Sequence, residues 1–386
     1  MLLKEKKIAI VGGGPGGLTL ARLLQLKGAN VKVYERDLNR DARVQGSPLD
    51  MHEESGYVAL QKANLLEEFN KSIRLGADKK IIVNEHAEII FSDHEIKPGE
   101  NSGNGHVRPE IDRGVLRRIF LDSLEPGTVV WDSHFVSMER QNEGWLLHFK
   151  NGLSVYADLV VAADGASSKI RPYVTKIKAF YSGVTMVEVN VDDAVKTIAP
   201  IYKLLNGGKI MAFGQGKCLL GGQKGVGGLG FYASFKPDEN WVENSGLDFS
   251  DKTQILAWFK EEYSEWGSIW YELFENATMP VVPRRIYCMP LDQAWESLSN
   301  LTLLGDAAHV MPPFAGEGAN TSMFDALELS ECLTSDKYKF LQEAISFYEV
   351  SMRKRASLAA KQSLENGERM HSEGALNKML TVFCAQ

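Results

Sequence analysis

Six residues near the start, Gly12-Gly-Gly-Pro-Gly-Gly17, restrict the possible folds of this chain more than any other stretch. They follow a run, Lys6 to Val11, whose continuous apolar character predicts a strand buried on both faces. A helical pattern follows from Leu18 to Leu26 and closes at Gly28, and a second strand runs from Val31 to Glu35. Read as GxGxxG, the glycines are Gly12, Gly14 and Gly17. They permit a tight turn, close backbone approach to a pyrophosphate, and close packing of helix on strand. Glu35 ends the second strand about 20 residues past the fingerprint, where an acid accepts from a ribose hydroxyl. A GxGxxG alone is weak evidence, but one set between strand and helix, with the acid in place, predicts an adenosine diphosphate site for FAD or NAD. The Glu35 carboxylate disfavours a 2′-phosphate there, an argument that neighbouring Arg36 slightly weakens.

The chain has 386 residues, which predicts two domains or one elaborated α/β unit. A net charge of −7 gives no support for a nucleic-acid partner. The basic run Met352-Arg-Lys-Arg355 reads as a solvated helix face. Cys218, Cys288, Cys332 and Cys384 are scattered, which predicts neither disulfides nor a zinc site. No apolar run approaches the roughly 18 residues of a membrane span, and no signal peptide is recognisable. A cytoplasmic monomer is expected.

Further along, Arg36 to Asp50 is polar and punctuated by Gly46 and Pro48, the character of a ligand-lining loop, with Arg43 and Asp50 as candidate contacts. Residues 53–75 read as helical. Asp112 reads as the N-cap of a helix whose first turn holds Arg113. Trp145 to Ala163 reads as a hairpin turning at Asn151-Gly152 in a type I′ turn, its second arm ending at Asp164-Gly165. Residues 173–284 alternate as strands, then become helical, which predicts a mostly antiparallel second domain. Leu301 to Leu304 predicts a buried strand feeding Gly305-Asp-Ala-Ala-His-Val-Met-Pro-Pro-Phe-Ala-Gly-Glu-Gly-Ala-Asn320. Strand, Gly/Pro loop and helix in that order aim backbone N–H groups at an anion or an electron-rich ring. His309 in this loop reads as a packed or backbone-bonded residue.

The three elements Gly12–Glu35, Leu159–Arg171 and Gly305–Asn320 together resemble the class A flavoprotein monooxygenases, the para-hydroxybenzoate hydroxylase fold. That family carries a GxGxxG fingerprint, a middle Asp-Gly motif (here Asp164-Gly165) and a GDAAH…PPxxGxGxN motif against the flavin. Within it, Val33-Tyr-Glu-Arg-Asp37, Arg40 to Arg43, Leu49-Asp-Met-His52 and Pro109-Glu-Ile-Asp-Arg113 are similar to the tetracycline-inactivating TetX group.

The resemblance implies an α/β fold: a Rossmann-like FAD-binding domain, an inserted, mostly antiparallel substrate domain and a long C-terminal bridging helix. The expected boundaries are 1–75, 107–172 and 285–335 for the first domain, 76–106 and 173–284 for the second, and 336–386 for a helical segment. It implies FAD contacts at Gly12, Gly14, Gly17, Glu35, Arg36, Asp50, Arg113, Leu116, Asp306, Pro313, Gly316, Gly318, Ala319 and Asn320. Arg43 would engage NADPH, a transient co-substrate. Glu188, Lys209, Met211, Leu220, Gly230 and Phe314 are the implied substrate residues. Glu188, Lys209 and Gly230 stand where the TetX group grips its substrate with Gln, Arg and His, and Glu317 stands where Gln is usual.

The implied reaction uses O2 and a flavin C4a-hydroperoxide to hydroxylate a tetracycline-like polycyclic or phenolic substrate, with inactivation of tetracycline antibiotics as one outcome. No protein nucleophile and no metal are called for. The alternatives are a hydroxylase of another aromatic or polyketide substrate, a non-oxygenating flavin reductase, and a binding protein.

Overall fold

The computed structural model describes residues 2–42, 48–94 and 108–384. Along the chain run β1 (Lys7–Val11), α1 (Pro15–Leu26), β2 (Asn30–Tyr34), β3 (Lys80–Asn84), β4 (Ile89–Ser92), α2 (Arg113–Ser123), β5 (Val129–Val130) and β6 (Leu159–Ala162). Then follow β7 (Phe180–Val191), β8 (Lys209–Gly214), β9 (Lys217–Gln223), β10 (Leu229–Phe235), β11 (Thr278–Cys288), β12 (Leu301–Leu303), α3 (Gly318–Thr334), α4 (Leu341–Met370) and α5 (Ala375–Cys384). Shorter elements are named by their residues.

Two compact units divide the chain: Met1–Ile73 with Arg113–Phe180 and Cys288–Ser363, and Arg74–Asp112 with Tyr181–Tyr287 and Leu364–Gln386. Residues 336–386 are therefore shared between the units and do not form a region of their own. The 30-residue helix α4 belongs to the first unit through Ser363 and to the second from Leu364.

In the first unit the strands lie in the order β12-β6-β1-β2-β5, all parallel. Both neighbours of β1 meet it at Ile8, which pairs with Leu159 on one side and Val31 on the other. Every residue of β6 and β12 is buried, as expected of parallel strands covered on both faces. Pro15 begins α1 at the position where a missing N–H costs nothing, and Gly28, at φ +74°, ends it.

Two local expectations are corrected here. The chain from Trp145 to Ala163 does not stay in one hairpin: Ser154–Ala157 pairs antiparallel with Gly144–Phe149, whereas β6 joins the parallel sheet. The turn is also not type I′, which needs positive φ at both central residues. Gly152 alone is left-handed, at φ +85°, and its N–H donates to Phe149 O at 3.0 Å, closing a longer loop. Residues 53–75 are likewise not one helix. A π turn (Glu53–Tyr57), a helix (Val58–Lys62) and another (Leu66–Ser72) are interrupted at Asn64, whose φ is +59°.

In the second unit the order is β11-β7-β10-β9-β8-β3-β4. Its pairs from β7 to β8 and from β3 to β4 are antiparallel, and β8 with β3 is parallel. One face is covered: Val187, Val189, Phe231, Ala233, Leu219 and Ile210 join Trp258, Phe259, Trp270 and Phe274 in a single apolar cluster. No helix among the described residues is long and apolar enough to cross a membrane.

Candidate active site

The three fingerprint glycines have different surroundings. A Cβ on Gly12, which sits at φ +110°, would overlap the carbonyl oxygen of Ala163, and one on Gly17 would overlap Gly12 O. Gly14 differs, because a Cβ there would meet nothing within 4 Å. It is the residue preceding α1, so its open side lies at the positive end of a 12-residue helix. That is the space and polarity a pyrophosphate takes.

Glu35 is 3% exposed, and its carboxylate accepts from the backbone N–H groups of Gly13 and, at 3.0 Å, of Asp37. It therefore braces the loop from the position where a ribose-binding acid is expected. Gly13, absent from the sequence candidates, leaves room for it: a Cβ there would lie 2.8 Å from Glu35 Oε2. Gly16 was missed too. A Cβ on it would overlap Ser322, which shows how closely α1 lies against α3. Arg36 is exposed, and Arg43 lies outside the described residues.

The middle motif ties to the late loop. Asp164 accepts from the backbone of Lys169 at 2.8 Å, and burial pushes its carboxyl up from the ordinary value. Arg171, 5% exposed, donates to the carbonyl oxygens of Ala307 at 3.1 Å and Ala308 at 2.7 Å, and to Gln293 Oε1 at 2.7 Å. Burial lowers its pKa to about 10.

In the late loop Gly305 adopts φ +59° and donates to Asp325 Oδ2 at 3.1 Å. Asp306 is exposed and lies within electrostatic reach of Arg113, the first residue of α2. His309 is 2% exposed and bonded at 2.6 Å to Asp325, whose other oxygen accepts from Arg355 at 2.7 Å. It is a packed residue.

Pro313 opens a short turn ending at Gly316, which is at φ +71°. Asn320 is fully buried. Its Oδ1 accepts from His52 N at 3.0 Å, and its Nδ2 donates to Asp50 O at 2.8 Å and Gly316 O at 3.3 Å. Its side chain thus binds the chain to itself, while the N–H groups of Gly318 and Ala319 start α3. Leu116 is buried at 1% exposure.

In the second unit the sheet register gathers the substrate candidates. Glu188 is opposite Tyr232, Tyr232 opposite Leu220, and Leu220 opposite Met211. In the next row Asn190 is opposite Gly230, Gly230 opposite Gly222, and Gly222 opposite Lys209. Two-residue alternation places all of these on the face opposite the apolar cluster. Glu188, Lys209, Met211, Leu220 and Gly230 therefore share one wall, in which Lys209, Met211 and Leu220 are half-buried and Glu188 is buried.

The polar groups of that wall already have partners. Arg284 binds Glu188 at 2.5 Å, and Lys209 pairs with the buried Glu110. Lys224 reaches over Gly230, where a Cβ would lie 2.6 Å from its Cε, to Asn190 Oδ1. Burial lowers the Lys224 pKa, against the raising influence of Glu188, Asp192 and Asp112. Arg284, Lys224 and Asn190 escaped the sequence reading because only the register brings them here. Phe314 belongs to the first unit and is half-buried.

Known proteins match the same two stretches. A family model described as an FAD binding domain matches residues 294–343, and one described as an NAD(P)-binding Rossmann-like domain matches residues 10–39. Monooxygenase penA of Penicillium thymicola is 26% identical over 94% of this chain and 94% of its own length. The crystal structure of a putative FAD-containing monooxygenase from Photorhabdus luminescens superposes with a TM-score of 0.77 at 25% identity, covering 95% of this chain and 99% of that one. The chain is an FAD-dependent monooxygenase. Tetracycline destructase Tet(55) also superposes, with a TM-score of 0.77 over 100% of this chain and 96% of that one, but at 16% identity this is a likeness of fold alone.

The first unit of this monooxygenase fits the cofactor. Gly14 leaves the approach to the α1 N-terminus open while the sites beside Gly12 and Gly17 are filled by backbone. When bound, FAD supplies the electron transfer and oxygen activation. The N-terminus of α1 would face the phosphates and Glu35 a ribose, and Asp306 and Arg113 are exposed, charged groups of the same unit.

Proposed function

We propose that this monooxygenase consumes NADPH and O2 to hydroxylate an aromatic or polycyclic substrate bearing an acidic hydroxyl or carboxylate. The observation carrying this reading is the wall on the second unit's sheet. Met211, Leu220 and Tyr232 form an apolar stripe suited to a flat ring system, bordered by the half-buried cation Lys224 and by Lys209. The Lys224 ammonium bonds directly to a neutral amide, Asn190, and feels Glu188, Asp192 and Asp112 only through space, so a direct ion pair with an incoming anion strengthens its electrostatic environment. Glu188 and Lys209 are each committed to an ion pair, so the wall offers an acidic group a single main anchor.

Inactivation of a tetracycline is a finer form of the same reaction. The fold likeness to Tet(55) supports testing it. The polar edge speaks for a different binding mode, because Glu188 is held by Arg284 and Gly230 contributes no side chain. Arg43 is proposed to meet NADPH.

The deciding experiment uses the purified flavoprotein. NADPH oxidation is followed with tetracyclines, hydroxybenzoates and their methyl esters, and products are analysed by mass spectrometry. The reading requires substrate plus one oxygen atom, with the free acids preferred to the esters. NADPH consumption with no oxygenated product from any compound would favour a reductase and sink the hydroxylase.

A further inference from the structure

Glu317 brings a negative charge to the residue immediately before α3, a 17-residue helix. Its Oε1 lies 3.3 Å from Nδ1 of His52, and Nε2 of the same ring lies 3.1 Å from Oδ2 of Asp50. His52 is 1% exposed, so a buried imidazole bridges two carboxylates, one on each nitrogen. The backbone fixes the ring in place, since His52 N and Asp50 O are both bonded to the side chain of Asn320. The neutral ring has no net charge to hold both acids, whereas the imidazolium bonds Asp50 through Nε2 and attracts the Glu317 carboxylate across the 3.3 Å contact at Nδ1.

We infer that His52 is a positioning residue for FAD: as an imidazolium it latches Glu317 to Asp50 and so holds the turn Gly316–Asn320 in its binding shape. Gly316, at φ +71°, begins this turn, and its backbone oxygen accepts from Asn320 Nδ2 at 3.3 Å. Asp50, from the short strand Leu49–Asp50, and Glu317, from the loop before α3, are the charged groups acting on the ring. Burial is the largest influence and pushes the imidazole down, but the hydrogen bonds and charges of the two carboxylates together raise it to about 9. A histidine raised in the folded state contributes fully below its unfolded value of about 6.5, and the contribution is lost as pH rises through the folded value. The latch is therefore closed at neutral pH and opens near pH 9. This inference rests on the flavin site and not on the identity of the substrate.

The test is FAD binding to the deflavinated full chain, read by flavin fluorescence between pH 6.5 and 9.5, for wild type, Glu317→Gln and Asp50→Asn. Wild type is expected to bind about tenfold more weakly at the top of the range, equivalent to one pKa unit of coupling. Glu317→Gln removes one acid from the ring, so its transition moves to lower pH and shrinks. Far-UV circular dichroism checks folding, and Asp50→Asn supplies the same comparison if Glu317→Gln misfolds. Superimposable pH profiles for wild type and variants overturn the latch. Absence of FAD binding at every pH would instead overturn the cofactor assignment, so the two failures are distinct.

Discussion

Arg284 directs Nε and Nη2 at one oxygen of Glu188, at 2.6 and 2.5 Å. Glu188 is 8% exposed and belongs to β7, whereas Arg284 belongs to β11, next to it in the sheet. A carboxylate with so little water depends on its partner, while the guanidinium, with its side chain 52% exposed, does not. Arg284→Leu is therefore expected to destabilise the protein by roughly 1–3 kcal/mol, below the full cost of orphaning a buried charge because solvent reaches this pair. Glu188→Gln should cost less, since an amide needs no counter-charge. Thermal melts of both variants check the order, and equal losses would contradict it.

The fingerprint glycines separate fold from cofactor. Gly17→Ala forces a methyl group onto Gly12 O and should lower the melting temperature of the flavin-free protein. Gly14→Ala meets no atom within 4 Å and sits at φ −77°, which alanine accepts, so the flavin-free protein should melt as wild type does. Its methyl group occupies the approach to the α1 N-terminus, so FAD affinity should fall by at least about tenfold, the loss of one good contact. Melting curves and flavin fluorescence titrations on both variants read the two effects independently.

His309, Asp325 and Arg355 set a pH window for the late loop. Burial works against every charge here, but the His309 and Arg355 charges bring Asp325 below the usual carboxylate range, and the Asp325 charge raises His309. A lowered acid contributes above its unfolded value and is lost as pH falls through the folded one. A raised histidine contributes below about 6.5 and is lost as pH rises through its folded value. The cluster is thus strongest between those limits. Asp325→Asn should cost about 3–5 kcal/mol near neutrality and flatten the acid limb of a plot of melting temperature against pH. An unchanged acid limb would show that other carboxylates govern it.

Legibility in the sequence tracked the range of the interactions. The fingerprint, Glu35 and the loop Gly305–Asn320 were readable because their physics is local: a turn, a helix start, an acid ending a strand. The Leu159–Ala162 strand was assigned to the wrong sheet because an apolar run cannot say which edge it joins. That choice is made by pairing with Ile8 and Leu301. The late loop's His309 was readable as packed, but its partner Asp325, one helix away, was not. Register hid most of the second unit: Arg284 is 96 residues from Glu188, and Lys224 is 34 from Asn190. Nothing local marked the role of His52, because its two acids are 267 positions apart in the chain, at Asp50 and Glu317.

Lys224 gives the sharpest test of substrate class. Its ammonium group reaches Asn190 over the bare backbone of Gly230, and burial makes its charge more costly than that of a surface lysine. An acidic substrate would relieve that cost by adding a direct ion pair to the through-space influence of Glu188, Asp192 and Asp112. Lys224→Met keeps the length and apolar stem of the side chain and removes only the charge. It leaves the flavin site untouched, so FAD content should match wild type. The KM for acidic aromatics should rise about tenfold or more, the worth of one partly desolvated ion pair, while methyl esters should change little. Steady-state kinetics on matched acid and ester pairs measure the difference. An equal rise for both members of each pair would mean that Lys224 supports the shape of the wall and does not read charge.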